Sequence, residues 1–320
     1  MNRLSVTPTR RQLLFGMAGA ALAYSQPRNR IYSPLLAAHT NLWVMEAALR
    51  NVRLGSVVDE TFNSIQRAGY GRVELASEFL APDLRSRTIE SLRTHKLQPA
   101  ILTASGPLYD LAAAEDSREQ LLDIAQVMNG WDTRWIDYHP AAKPGPKTAA
   151  ELETQAYQLN RMGQDLAKTG VGLMVGHNLP EMEDDAREWR YTVAHTERGL
   201  VDFCLDVECA VRGGAHPLAL IDTAGGRLRS LQLRNPKNGV TQELLRDGDI
   251  DMIPIARFLR QSSYDGYLVV DLLREPQTKL EYPICEALSL SRWYMQEIFG
   301  SRPGSPPVDM GPHVRERRHG

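Results

Sequence analysis

Apolar runs rich in β-branched residues recur along this chain, and each closes on a polar or ligand-capable residue before a helical pattern begins. The clearest are Arg72-Val73-Glu74, Leu173-Met174-Val175-Gly176-His177, Phe203-Cys204-Leu205-Asp206, Leu231-Gln232-Leu233 and Leu268-Val269-Val270-Asp271. A glycine shortly precedes each run: Gly71, Gly170, Gly199, Gly226 and Gly266. Glycine takes the left-handed helix C-cap without steric cost, and a parallel strand is buried on both faces, so this is the grammar of a βα unit. Eight strands and eight helices in alternation predict an α/β chain of the (β/α)8 TIM barrel type, a single domain. No Gly-rich phosphate loop follows strand 1, which argues against a dinucleotide-binding doubly wound sheet.

Strand 1 is expected around Leu35–Val44, with Asn41 and Trp43 near its end. The other strands are expected near 71–76, 99–103, 134–139, 171–177, 200–206, 228–233 and 267–272. Ser56 and Ser117 are read as helix N-caps, and the helix before strand 6 is expected over Asp185–His195. In a barrel of this kind the strand C-termini converge on one face, which carries the chemistry. Glu74, His177, Asp206, Gln232 and Asp271 are thereby drawn into one candidate pocket. Glu74, flanked by apolar residues, is a candidate general base. His139, in Tyr-His-Pro at the end of strand 4, also points to the mouth, and Asn178 can meet sugar hydroxyls. Beyond strand 7, Arg234, Lys237 and Asn238 make a cationic loop able to clamp an anionic or hydroxyl-rich ligand, and Gly248-Asp249-Ile250-Asp251 caps the next helix.

The first 23 residues stand apart. Arg10-Arg11 precedes an apolar stretch, Leu13 to Ala23, that ends in Ala21-Leu22-Ala23, and no acidic residue occurs before Glu46. That is the layout of a twin-arginine export signal with a small-residue cleavage site, and the stretch is about half the ~20 residues a bilayer span needs. The expected organisation is a signal over 1–23, a barrel over 24–300 and a disordered tail over 301–320, with the mature chain periplasmic or secreted. Such export carries folded proteins, so an exported oxidoreductase is one expected partner. The chain carries 37 basic and 39 acidic residues, net −2, and the signal holds three of the arginines and no acid. The mature chain is more acidic still, which speaks against a nucleic-acid partner. Three cysteines (Cys204, Cys209, Cys285) make no disulfide framework, and Cys204 reads as a core residue.

Gly176-His177-Asn178-Leu179-Pro180-Glu181, Phe203-Cys204-Leu205-Asp206, Leu231-Gln232-Leu233-Arg234-Asn235 and Gly248-Asp249-Ile250-Asp251, followed by Tyr267-Leu268-Val269-Val270-Asp271, together resemble the xylose isomerase-like superfamily. This is the sugar phosphate isomerase/epimerase group. The resemblance implies proton transfer beside a sugar carbonyl (isomerisation, epimerisation, dehydration or elimination) and a divalent metal, Mn²⁺ or similar. It implies metal ligands at His177, Asp206, Gln232 and Asp271, catalytic roles for Glu74, His177 and Arg234, and substrate contacts from Asn178, His139 and Lys237. The ligand positions depart from the family pattern: Gln232 stands for a histidine, Asp271 for a glutamate, and Leu179 for a second strand 5 imidazole. An amide oxygen is a weak ligand for a transition ion, and Asp271 shortens the reach by about 1.5 Å. The expectation is therefore an exported sugar or cyclitol isomerase, epimerase or lyase that binds its metal weakly or has lost it. The alternative is a degenerate barrel that binds a sugar or a partner protein without catalysis.

Overall fold

A computed structural model describes residues 34–300, apart from 129 and 132. The expected export signal and C-terminal tail lie outside the described residues. The strands are β1 (Leu35–His39), β2 (Arg72–Ala76), β3 (Gln98–Gly106), β4 (Trp135–Pro140), β5 (Gly172–Val175), β6 (Val201–Asp206), β7 (Leu228–Leu233), a hairpin of β8 (Pro236–Lys237) and β9 (Val240–Thr241), and β10 (Tyr267–Val270). The helices are α1 (Asn41–Leu49), α2 (Val58–Arg67), α3 (Arg85–Thr94), α4 (Leu111–Val127), α5 (Ala149–Ala167), α6 (Leu179–His195), α7 (Val207–Arg212), α8 (Pro217–Ala224), α9 (Met252–Gln261) and α10 (Ile284–Phe299). Eight parallel strands close in the order β1-β10-β7-β6-β5-β4-β3-β2, the (β/α)8 barrel the sequence predicts.

Strand alternation builds the interior in layers. Ala37, Ile101, Met174, Cys204 and Val269 form one buried apolar cluster. Two residues further along each strand, on the same side, stand His39, Thr103, Gly176, Asp206 and Asp271. The apolar layer therefore underlies a polar floor at the C-terminal mouth. Outside the barrel the helices lay apolar stripes on the strands. In α2, Val58, Phe62 and Ile65 are fully buried, each contributing about 1.5–3 kcal/mol. Phe62 meets Phe79 with ring centroids 5.6 Å apart.

Four local expectations are corrected. Strand 1 ends at His39; Asn41 and Trp43 belong to α1, with Trp43 buried. Apolar residues resume at Leu42-Trp43-Val44 straight after His39-Thr40-Asn41, so the strand and the first helical turn read as one segment with a short polar break. Asp110, not Ser117, caps α4, accepting from the Ala113 amide at 2.9 Å. Ser56 lies in a 3₁₀ turn, Leu54–Val57, ahead of α2. Finally, α6 begins at Leu179, where Pro180 suits the first turn. It is broken at Glu183–Ala186, where Asp184, Asp185 and Ala186 take left-handed φ of 54°, 53° and 57°. Among the described residues no helix is long and apolar enough to cross a membrane.

Candidate active site

The mouth holds a cavity of about 360 Å³ lined by His39, Thr103, His139, His177, Asn178, Asp206, Gln232, Arg234 and Asp271, among others. A larger cavity of about 630 Å³, near Val211, Pro217 and Ile255, is mostly apolar and reaches none of these side chains. Seven of the nine side chains expected at the site thus face one space. Two do not. Lys237 sits exposed on the β8–β9 hairpin away from the cavity, and Glu74 is wholly buried beneath the floor.

Two imidazole–carboxylate pairs flank the cavity. His39 Nδ1 lies 2.9 Å from Asp271 Oδ1, and His139 Nε2 lies 3.0 Å from Asp137 Oδ2. Thr40 fixes the first pair from behind: its amide donates to Glu74 O at 3.0 Å and its hydroxyl accepts from Ala76 N at 2.9 Å, riveting the end of β1 to β2. The second pair depends on a glycine. A Cβ on Gly176 would stand 2.3 Å from His139 Nε2 and 2.7 Å from Asp137 Oδ1, so only a residue without a side chain lets β5 pass this close.

Burial works against charge on His39, but the attraction of Asp271, then of Glu74 and Asp137, together with the Asp271 hydrogen bond, lifts its pKa from 6.5 to about 9. His139 is likewise raised, with burial outweighed by Asp137. His177 goes the other way: burial, then repulsion from His139 and Arg234, holds it well below its usual value, so it is neutral. Its Nε2 accepts the Asp206 amide at 2.9 Å, which leaves the proton on Nδ1, a buried donor with no partner among the described residues. Asp271 is held low because His39 and Arg234 outweigh its burial.

Beneath the floor, Gln232 Nε2 donates to Glu74 Oε1 at 2.7 Å and to Asp137 Oδ2 at 3.2 Å. Thr103 Oγ1 donates to the same Glu74 oxygen at 2.7 Å and lies 3.3 Å from His39 Nε2. Burial raises Glu74 to about 7, against the pull of His39. The expected general base is therefore screened from substrate by Thr103 and Gln232, and its part is to hold them.

Arg234 leaves β7 and turns back over the mouth. Its Nη2 pairs with Asp206 Oδ2, and its Nε lies 3.6 Å from Asp271 Oδ2. The other Asp206 oxygen accepts from Cys209 N at 2.9 Å, capping α7. Cys209 itself is pushed up to about 12 by burial and stays a thiol. Asn235 anchors the loop from below: it bonds Leu245 O at 2.7 Å and accepts from Ile250 N at 2.9 Å. Asp251 caps α9 through Ile253 N, as expected, while Asp249 receives the Asn238 amide at 2.8 Å rather than neutralising an arginine.

A divalent ion does not fit this donor set. Both Asp206 oxygens are engaged, one by a guanidinium; Asp271 is held by His39 and faces the same guanidinium. The Nε2 of His177 is spent on a backbone amide, and Gln232 is turned to two buried acids. Among the described residues no group of three or more His, Cys, Asp or Glu side chains is disposed to hold a metal.

His39 and Asp137 were missed in the sequence, although both carried a signal. His39 closes Leu35-Leu36-Ala37-Ala38 just as Asp206 closes its own run. Asp137 lies two residues before His139 and so shares its inward side.

No family model matches the chain. Two inosose dehydratases are similar in sequence. That of Clostridium perfringens is 25% identical over 154 residues, covering 42% of this chain and 52% of its own length. That of Geobacillus kaustophilus is 23% identical over 238 residues, covering 67% and 71%. The chain thus spans about half the length of the first of these relatives. Among solved structures, a sugar phosphate isomerase/epimerase from Parabacteroides distasonis superposes with TM-score 0.64 at 15% identity, covering 82% of this chain and 94% of that one. D-allulose 3-epimerase from Methylomonas sp., in complex with D-allulose, gives 0.67 at 15%, covering 84% and 98%. The fold is that of the sugar phosphate isomerase/epimerase barrels.

Proposed function

We propose that this protein is an enzyme that moves a proton next to the carbonyl of a sugar- or cyclitol-like substrate. The observation that carries the reading is two imidazole–carboxylate pairs and one guanidinium facing a single cavity. Similarity to inosose dehydratases and to a barrel that binds D-allulose supports the substrate class. In this reading His139, made more basic by Asp137, takes the proton from the carbon beside the carbonyl. The C–H electron pair becomes the carbon–carbon double bond of an enolate, and the carbonyl oxygen takes the negative charge. Protonated His39 and Arg234 meet that oxygen, and a cation fixed in a dry site stabilises developing charge far better than one in water. Protonation of the opposite face of that carbon gives an epimer; protonation of the former carbonyl carbon, as the neighbouring hydroxyl gives up its own proton, gives an isomer; and loss of a neighbouring hydroxyl, which takes the proton from His139 and leaves as water, gives a dehydrated product. His177 Nδ1 is placed to orient a substrate hydroxyl, with Asn178 beside it held to Pro140 O at 3.4 Å.

The reading extends to export: Arg10-Arg11 and Ala21-Leu22-Ala23 support a twin-arginine signal over 1–23. Neither the site nor the similar proteins support an oxidoreductase partner. The test is turnover of a panel of ketohexoses and inososes, followed by NMR, with His139→Gln and His39→Gln beside the wild type. General acid–base groups are typically worth 10²–10⁴-fold, so each variant should lose about 10²-fold or more. Wild-type rates in both variants, or no binding and no turnover across the panel, would overturn the reading.

A further inference from the structure

The geometry points to Arg234 as a resident cation that takes the place a divalent ion would fill, making this barrel mouth metal-independent and closed to metal for as long as the guanidinium is present. This inference deepens the proposed function and rests on it for the chemistry, though not for its test. Asp206 ends β6 and Asp271 follows β10, with β7 between them. Arg234, just beyond β7, supplies the positive charge that two facing buried carboxylates require. Asp206 and Asp271 are only 2% and 3% exposed, and buried carboxylates need cations: His39 serves Asp271, and Arg234 serves Asp206 while lying close to Asp271 as well. A guanidinium is permanently charged and presents donors in a fixed fork, so it can satisfy two carboxylates at once and still offer an N–H to a third oxygen. Here the guanidinium hydrogen-bonds Asp206 and leaves one donor unspent: Arg234 Nε is buried, lies 3.6 Å from Asp271 Oδ2, beyond hydrogen-bond reach, and has no hydrogen-bond partner among the described residues. A substrate oxygen entering the cavity is the group that would complete it.

The sequence changes around the mouth agree with this arrangement. A cation tethered by covalent bonds does not need four ligands, so Gln232 is released to tie Glu74 to Asp137 and His177 to brace the start of α7. Asp271, one methylene shorter than glutamate, leaves room for the guanidinium.

Mn²⁺ titration of the full-length protein, read by electron paramagnetic resonance and by thermal shift, tests the inference without reference to turnover. The wild type is expected to leave the free-ion signal and its melting temperature unchanged up to about 1 mM Mn²⁺, whereas Arg234→Gln, which removes the charge but keeps much of the volume, should bind Mn²⁺ at least tenfold more tightly and be stabilised by it. Arg234→Lys, which keeps the charge, should stay as closed as the wild type. If Arg234→Gln folds only with Mn²⁺ present, that metal dependence supports the inference as well. One equivalent of Mn²⁺ bound by the wild type at micromolar concentration overturns it. So does a folded Arg234→Gln that binds no better than the wild type. Should every sugar in the panel fail while the Mn²⁺ results hold, the functional reading falls and the resident cation stands.

Discussion

Replacing Lys147 with methionine should destabilise the fold severely, because this side chain clamps the segment that carries His177 and Asn178. Its side chain is 2% exposed, and the ammonium lies 3.1 Å from Glu181 Oε1 and 3.0 Å from Glu188 Oε2, both on α6. Glu181 also receives the Asn178 amide at 2.8 Å, and Glu188 receives the Lys147 amide at 2.8 Å. The loop after β4 and the start of α6 are thus held by one cation and two acids. Methionine retains most of the volume, so the loss is electrostatic: two buried carboxylates face each other, with only the half-exposed Arg187 still reaching Glu188. Breaking a buried pair from one side typically costs about 3–5 kcal/mol. At about 2–4 °C per kcal/mol for a chain somewhat smaller than this, the melting temperature should fall by roughly 6–20 °C in calorimetry at pH 7. The triple change Lys147→Met, Glu181→Gln, Glu188→Gln removes the stranded charges and should recover most of that loss. A single variant melting within 2 °C of the wild type would refute the reasoning. A triple variant no better than the single one would show that uncompensated charge is not the cause.

Raising the pH should cost stability through His39: its contribution is complete below pH 6.5, the ordinary value, and is lost as the pH rises through about 9. At 1.36 kcal/mol per pH unit over this interval the effect is on the order of 3 kcal/mol. Melting curves from pH 6 to 10 should therefore fall more steeply for the wild type than for His39→Gln, and parallel curves would contradict the assignment. Gly176→Ala should drive His139 off Asp137, destabilising by about 1–3 kcal/mol as overpacking does and lowering turnover together with it; a crystal structure with the pair intact would argue otherwise. Changing Arg10 and Arg11 together to lysine should leave precursor in the cytoplasm, and unchanged periplasmic accumulation would sink the export assignment.

Much of the barrel was legible because each βα unit states its own boundaries. The glycine before β2, β5, β6, β7 and β10 and the polar residue at or just beyond the strand end are local signals, and strand alternation carries them to one face. What was not legible depended on partners distant in sequence. Glu74 has the sequence profile of a base, but Gln232 and Thr103, brought by other strands, cover it. Lys237 follows Arg234 closely, yet the β8–β9 hairpin turns it outward while Arg234 turns in. The guanidinium at the mouth was hidden for the same reason. A ligand set read position by position cannot reveal that an arginine two residues beyond Gln232 will fold back between the two aspartates.

The central claim is proton transfer by His139 beside a carbonyl, and deuterium incorporation tests it most directly. Wild-type protein incubated in D₂O with ketohexoses and inososes should place one deuterium on the carbon next to the carbonyl of its substrate, detected by NMR and mass spectrometry. His139→Gln should slow that exchange by about 10²-fold or more, whereas Lys237→Ala, outside the cavity, should exchange at the wild-type rate. Exchange undiminished in His139→Gln, or absent in the wild type with every compound that binds, would contradict the account.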